Sequence, residues 1–299
     1  MGFCSSFNPC SDLCSDGSKH VLTSVGYRSG RNCFVEKEEM AHMAMSIRFC
    51  LMRLTLYALI AFAASSASAV TLASYGQDDQ IIDVCQLNLA HDNVRMFWRA
   101  EDDSHFANFS RLSEWLLARL EKLICATNAG IYGTDLRPIG LYIEAGKMLH
   151  KLNTRKEAYG NFYLQPNGVF QLKDHEAMIL STDEVAANLE TKLKGVMYAT
   201  QSGPILLRAG QINPLFTQGS ENRLVRNAVC VISASDIALV KSRSAINFHD
   251  FALQMRDQLG CRDALYLDGS VSQLYPYDNG KFGPNFAVII GATVPPKPQ

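Results

Sequence analysis

The chain has 299 residues, of which 47% are hydrophobic and 19% charged, the composition of a globular protein able to bury a sizeable core. Its formal net charge of -1 excludes a large basic surface, and with it nucleic acid as an expected partner. No internal repeat or long low-complexity tract is present.

The first element is a targeting pattern. Arg48 and Arg53 precede a mostly apolar run from Leu54 to Ala64, and Ala67-Ser68-Ala69 supplies small residues for a peptidase. Residues 45–69 are therefore expected to be a secretory signal peptide cleaved after Ala69. The apolar run is too short to span a bilayer comfortably, so no stable membrane span is expected after cleavage, and the location is periplasmic or secreted. Residues 1–44 are then either a leader without fixed structure, or lie upstream of a translation start at Met43 or Met45. Cys10, Cys14, His20 and Cys33 have only a loose spacing for zinc. The domain is expected over 70–294, with 295–299 a tail rich in proline. Cys85, Cys125, Cys230 and Cys261 allow two disulfides in three connectivities, or four buried thiols.

Ile81 to Leu89 and Val94 to Trp98 alternate as strands and read as a hairpin across His91-Asp92-Asn93. Asn108-Phe109-Ser110 matches a glycosylation sequon, of consequence only in a eukaryotic secretory pathway. Leu112, Trp115, Leu116, Leu120 and Leu123 recur at helical spacing behind a cap at Ser110. A strand from Leu123 to Thr127 ends in Asn128-Ala129-Gly130, and one from Ile139 to Ile143 ends in Glu144. Asn161 to Leu164 and Val169 to Leu172 read as a hairpin with Asn167-Gly168 at its tip. Ser181 and Glu184 form a capping box for a helix whose face carries Val185, Leu189 and Leu193.

Val196 to Thr200 reads as a strand broken by Ser202-Gly203-Pro204, and 211–221 as a polar loop. Arg223 and Arg226, three apart, could face one anion. Ala228 to Ile232 and Ile237 to Val240 form a hairpin. Asn247 caps a helix closed by Gly260. The strand Ala264 to Leu267 then runs into Asp268-Gly269-Ser270-Val271-Ser272, an acid delivered to the edge of a core. Many short strands, about three helices and no regular strand–helix alternation predict an α+β domain with an extensive mixed or antiparallel sheet and a few packed helices.

No phosphate-binding glycine loop, nucleophile elbow or zinc-protease helix is present, and neither Ser202 nor Ser270 has an obvious histidine base, which argues against a serine hydrolase. Asn128-Ala129-Gly130, Pro138 to Gly146, Gly160 to Phe170, Ser202-Gly203-Pro204, Asn222 to Val231 and Ala264 to Ser272 together resemble the phosphodiester glycosidase family, most closely its bacterial exported branch. The resemblance covers nearly all of residues 80–292. Where that family usually carries Asp-Gly-Gly-x-Ser, this chain has Ser270 at the third position.

The resemblance implies hydrolysis of the bond between a sugar's anomeric carbon and a phosphodiester oxygen, in an envelope or extracellular glycan. A phosphate leaving group needs charge neutralisation more than a proton, and Arg223 and Arg226 are the candidates. The sugar centre needs a carboxylate, assigned to Asp268, with Glu144 as the partner acid. Asn128, Ser202, Gly203, Gly269 and Ser270 would bind sugar hydroxyls or phosphate oxygens. No cofactor is required, although Asp268 with Asp278 or Asn279 offers oxygens to a divalent cation. Two other readings stay open: a non-catalytic protein that binds an envelope glycan or anionic polymer, and a structural envelope protein with an exposed apolar patch.

Overall fold

The computed structural model describes residues 70–268, 270–278 and 284–295. The expected leader, its cysteines and the signal peptide lie outside these residues, as do Gly269, Asn279 and the last four residues. The strands form three sheets, every pairing among the described residues being antiparallel.

A seven-stranded sheet runs β1 (Thr71–Tyr75), β2 (Ile82–Asn88), β13 (Asp236–Ser242), β12 (Asn227–Val231), β14 (Asp263–Tyr266), β10 (Ile205–Arg208) and β11 (Gln211–Ile212). A four-stranded sheet runs β15 (Leu274–Tyr275), β4 (Lys122–Ala129), β16 (Val288–Val294) and β3 (Asn93–Phe97). A five-stranded sheet runs β6 (Lys147–His150), β5 (Tyr142–Glu144), β9 (Tyr198–Ser202), β7 (Gly168–Lys173) and β8 (Glu176–Ser181). Among the described residues four α-helices accompany them: α1 (Phe109–Leu117), α2 (Thr182–Ala187), α3 (Leu189–Leu193) and α4 (Phe248–Leu259). The α+β class expected from the sequence is the class observed. No helix among the described residues is long and apolar enough to cross a membrane.

The three sheets turn one face each toward a common core. Leu87, Val229, Leu239 and Leu265 come from the first, Met96, Val288 and Ile290 from the second, and Phe170, Leu172 and Ile179 from the third. Each outer face is also covered. Helix α4 packs Phe251, Met255 and Leu259 on the seven-stranded sheet. Helix α1 packs Phe109, Leu112 and Leu116 on the four-stranded sheet. Val185 of α2 covers Val169 and Ala199 of the five-stranded sheet. Burial on both faces explains why β12 is apolar at four successive positions rather than alternating.

Local signals held where the physics is local. The capping box at Ser181 and Glu184 is formed, Asn247 caps α4, and Gly260 ends it in the left-handed conformation. The hairpin of β12 and β13 is as expected. Three readings are corrected. The cap of α1 is Asn108, whose side chain accepts from the Arg111 N–H, not Ser110. Strands β2 and β3 join different sheets, not one hairpin. Residues Asn161–Tyr163 form a 3-10 turn, and the hairpin of that region is β7 with β8, across Asp174 and His175.

Two disulfides select one of the three connectivities. Cys85–Cys125 ties β2 to β4 across the common core, and Cys230–Cys261 ties β12 to the end of α4. The first closes a 40-residue separation, for which loop-closure entropy gives about 4 kcal/mol. Replacing Cys85 and Cys125 together by serine is expected to lower stability by about that amount, read as a lower urea midpoint with a steeper slope, since the unlinked denatured chain exposes more surface.

Candidate active site

Strand β14 delivers Asp268 to the place where the ends of β4, β9 and β12 converge. The residue that organises this place is Asn227, the first residue of β12 and fully buried. Its amide nitrogen donates to Thr127 Oγ1 at 2.9 Å and to Asn128 O at 2.7 Å. Its amide oxygen accepts the Asp268 N–H at 3.0 Å and the Ser272 hydroxyl at 3.3 Å. Its own carbonyl accepts the Leu267 N–H at 3.1 Å. One side chain thus joins the seven-stranded sheet, the four-stranded sheet and the turn that carries the acid.

The turn is closed from its other sides. Asn128 donates to Val271 O at 2.6 Å and accepts the Gln273 N–H at 2.8 Å. Ser272 Oγ donates to Asp268 O at 2.7 Å, and Asp268 Oδ1 accepts the Ser270 N–H at 2.9 Å. Ser202, on β9, donates to Leu267 O at 2.7 Å and so fastens the five-stranded sheet to the same point. Gly203 is required where it stands, because a Cβ there would lie 2.5 Å from Asn167 Cβ. Gly130 has φ of +57°, and a Cβ on it would lie 2.3 Å from the Thr200 hydroxyl.

The structure therefore brings Asn128, Ser202, Gly203, Ser270 and Asp268 together, but gives them unequal tasks. Asn128 and Ser202 are buried and hydrogen-bonded to backbone, so they shape the turn rather than face a ligand. Asp268 is 5% exposed and Ser270 is open to solvent. Gly269 lies outside the described residues.

Arg226 sits beneath the site and is 0% exposed. Its guanidinium donates to Ile246 O, to Asn222 O and Oδ1, and to Tyr266 Oη at 3.3 Å, and it lies 3.7 Å above the Phe248 ring. It therefore does not present its charge to a ligand directly, as the sequence suggested. Burial lowers its affinity for the proton, and the partners it finds are neutral. Burial pushes the Tyr266 phenol up to about 12, with Arg226 opposing and the Asp268 charge adding to the shift.

Three expected members lie apart. Arg223 pairs with Asp79 at 2.9 Å and donates to Ala245 O, on the side of the N-terminal strand. Glu144 is level with Tyr198, since Tyr142 pairs with Thr200 and Ile143 with Ala199. That is four residues, roughly 13 Å, along β9 from Ser202. There Glu144 accepts the Tyr142 hydroxyl proton, and burial raises its pKa. Asp278 is held by Lys241 at 2.8 Å and by the Leu274 N–H. Among the described residues no group of three or more His, Cys, Asp and Glu side chains could hold a metal ion.

Sequence reading missed Tyr132 and Tyr266. Tyr132 is half-buried, donates to Asn285 O at 2.8 Å, and has its phenol pushed up by burial and by the nearby Asp268 charge. Nothing in the sequence links it to Asp268, 136 positions away. Tyr266 reads as one more aromatic in an apolar strand. Asn227 carried a signal: a small amide opening a strand otherwise wholly apolar.

With this geometry in view, the comparisons with known proteins can be placed. The phosphodiester glycosidase family model matches residues 121–289, and the chain belongs to that family. The chain is 28% identical over 237 residues to the uncharacterised protein YigE of Escherichia coli (strain K12), covering 78% of this chain and 87% of that protein. Among solved structures it is similar to the catalytic domain of zebrafish N-acetylglucosamine-1-phosphodiester alpha-N-acetylglucosaminidase, auto-inhibited by its pro-peptide. The identity there is 14%, over 75% of this chain and 81% of that one, with a TM-score of 0.47. It is also similar to a putative exported protein of Burkholderia pseudomallei K96243, at 11% identity over 76% of this chain and 75% of that one, with a TM-score of 0.46.

Two outcomes follow for the site. Asn227→Ala strands buried donors and acceptors on two sheets and is expected to cost about 3 kcal/mol, checked by urea unfolding. Tyr266 keeps its proton up to about 12 in the folded state, against about 10 unfolded. Its contribution to stability is complete below pH of about 10 and is lost as pH rises toward 12. Tyr266→Phe is expected to flatten that alkaline loss, read from unfolding free energies across the same range.

Proposed function

We propose that the chain is an exported hydrolase that cleaves the bond between a sugar's anomeric carbon and a phosphodiester oxygen. Membership of the phosphodiester glycosidase family supports the reaction class. The signal-like segment from Met45 to Ala69 supports export, and two disulfides suit an oxidising compartment. The observation that carries the reading is Asp268, a carboxylate at a strand end whose backbone is locked by Asn227 and Ser272.

The carboxylate meets the positive charge that develops at the anomeric carbon as the bond to phosphate breaks. The phosphate monoester departs with its electron pair and needs no proton from a second acid, while water adds at the anomeric carbon and loses a proton by way of Asp268 to solvent. This fits Glu144 and Asp278 being engaged elsewhere. The buried Arg226 charge, relayed by Tyr266, favours negative charge accumulating above it. The Tyr132 hydroxyl gives its proton to Asn285 O and keeps lone pairs that can accept from a sugar hydroxyl near Asp268.

A non-catalytic glycan binder is the second reading. It is favoured by one fact: Arg226 is fully buried, and Arg223, though exposed, is paired with Asp79. A panel of sugar-1-phosphodiesters separates the two. Release of free sugar is expected from the native protein, reduced about a thousandfold in Asp268→Asn. Glu144→Gln is expected to stay within about threefold of native, because its carboxyl lies along β9 from the site. Tight binding without release in any of these proteins would leave the glycan binder standing.

A further inference from the structure

Next to the Asp268 site is a cleft that the reaction above does not use. It offers about 180 Å³, between Leu164 and Gln165, the segment Leu215 to Ser220, and the first turn of α4 at Phe248 and His249. The segment reads as a polar loop in the sequence, but Leu215 is 71% exposed, and Leu164, on the opposite wall, is 45% exposed. Phe216 stacks on Phe248 with ring centroids 5.0 Å apart. The wall is preformed. Buried Asn213 accepts the Leu215 N–H at 3.1 Å, donates to Ile205 O at 3.0 Å, and through its carbonyl accepts the Phe216 N–H.

Four of the five polar side chains of the cleft each make a hydrogen bond within the protein. Asn222 Oδ1 accepts from Arg226 at 3.0 Å, and Gln165 Nε2 donates to Tyr163 O at 3.2 Å. His249 Nδ1 is 3.1 Å from Asp250 Oδ1, and Ser220 Oγ accepts the Asn222 N–H at 3.3 Å. No lysine, arginine, aspartate or glutamate lines the space. The other lining side chains are Thr217, two leucines and two phenylalanines, so the surface is mainly apolar. A lining of that kind cannot offset the desolvation of a charged or hydroxyl-rich group, but gains from each methylene it covers.

One wall of the cleft, Phe248, leads toward the acid through a ring contact. Phe248 stands edge-on to Tyr266, centroids 4.8 Å apart. Tyr266 precedes Asp268 by two residues, about 7 Å of extended chain. We propose that the cleft receives an aliphatic aglycone: the substrate is a sugar-1-phosphodiester whose second ester carries an alkyl chain. The chain lies along Phe216 and Leu215, and the phosphate lies between the cleft and Asp268. This inference rests on the hydrolase reading for its substrate, though not for the cleft's affinity for alkyl groups.

The test uses two series on the same protein. Esters of one sugar-1-phosphate carrying methyl, butyl or octyl groups are expected to show kcat/KM rising about three- to fourfold per methylene until the cleft is filled. Methyl, butyl and octyl phosphates, titrated calorimetrically against native protein and Asp268→Asn, are expected to bind more tightly with length in both. Phe216→Ala is expected to flatten both series. Leu215→Asn, at an exposed position, is expected to reduce the slope without the risk of unfolding. If affinity climbs with length but no ester is cleaved, the hydrolase reading fails and the cleft stands. A flat calorimetric series overturns the cleft whether or not the esters are cleaved. A slope that survives both variants also overturns it, because the chain is then held elsewhere.

Discussion

The structure turns on one buried amide. Asn227 must satisfy a donor and an acceptor in a place that water does not reach, and its partners come from two sheets and from the Asp268 turn. Burying an amide is unfavourable unless both ends are paired, and pairing both ends fixes the relative position of everything it touches. The site is therefore a consequence of how the sheets meet. Ser202 repeats the device from the third sheet with a single hydroxyl.

Around that point the chain separates holding from acting. Asn128, Ser202, Asn227 and Arg226 are sealed, and their hydrogen bonds go to the protein. Ser270 is open to solvent, and Asp268, 5% exposed, lies beside it. Arg226 is the least ordinary of the sealed groups, a guanidinium stacked on Phe248 and bonded to neutral oxygens. Such a charge is costly to bury unless its donors are satisfied, and here neutral oxygens and an aromatic face satisfy it. The same Phe248 ring that covers it also lines the neighbouring cleft, so the charge beneath the site and the apolar surface beside it share one support.

The sequence was legible wherever the deciding contacts are local. The Ser181 capping box, the Asn247 cap with Gly260, and the hairpin of β12 and β13 each depend on residues a few positions apart. The reading failed where a tertiary partner overrode a local signal. Asn167-Gly168 looks like a hairpin tip, but Asn167 is buried and donates to Phe162 O, while Gly168 opens β7. The strands β2 and β3 look like neighbours, but each carries apolar residues that are covered within a different sheet.

By itself, the sequence determined the α+β class, the even number of cysteines in the domain, and Asp268 as an acid at the end of an apolar strand. Those properties follow from periodicity, composition and chain-local turn chemistry. Only the tertiary structure decided that Glu144 and Arg223 lie apart from Asp268, that Arg226 points inward, and that Tyr132 and Tyr266 lie near the acid. The contacts that decide these matters join residues far apart in the chain, such as Asn227 with Asn128 and Asn128 with Val271. A side chain's direction is set by the sheet it enters and the cover it receives, and neither is written in its immediate neighbours.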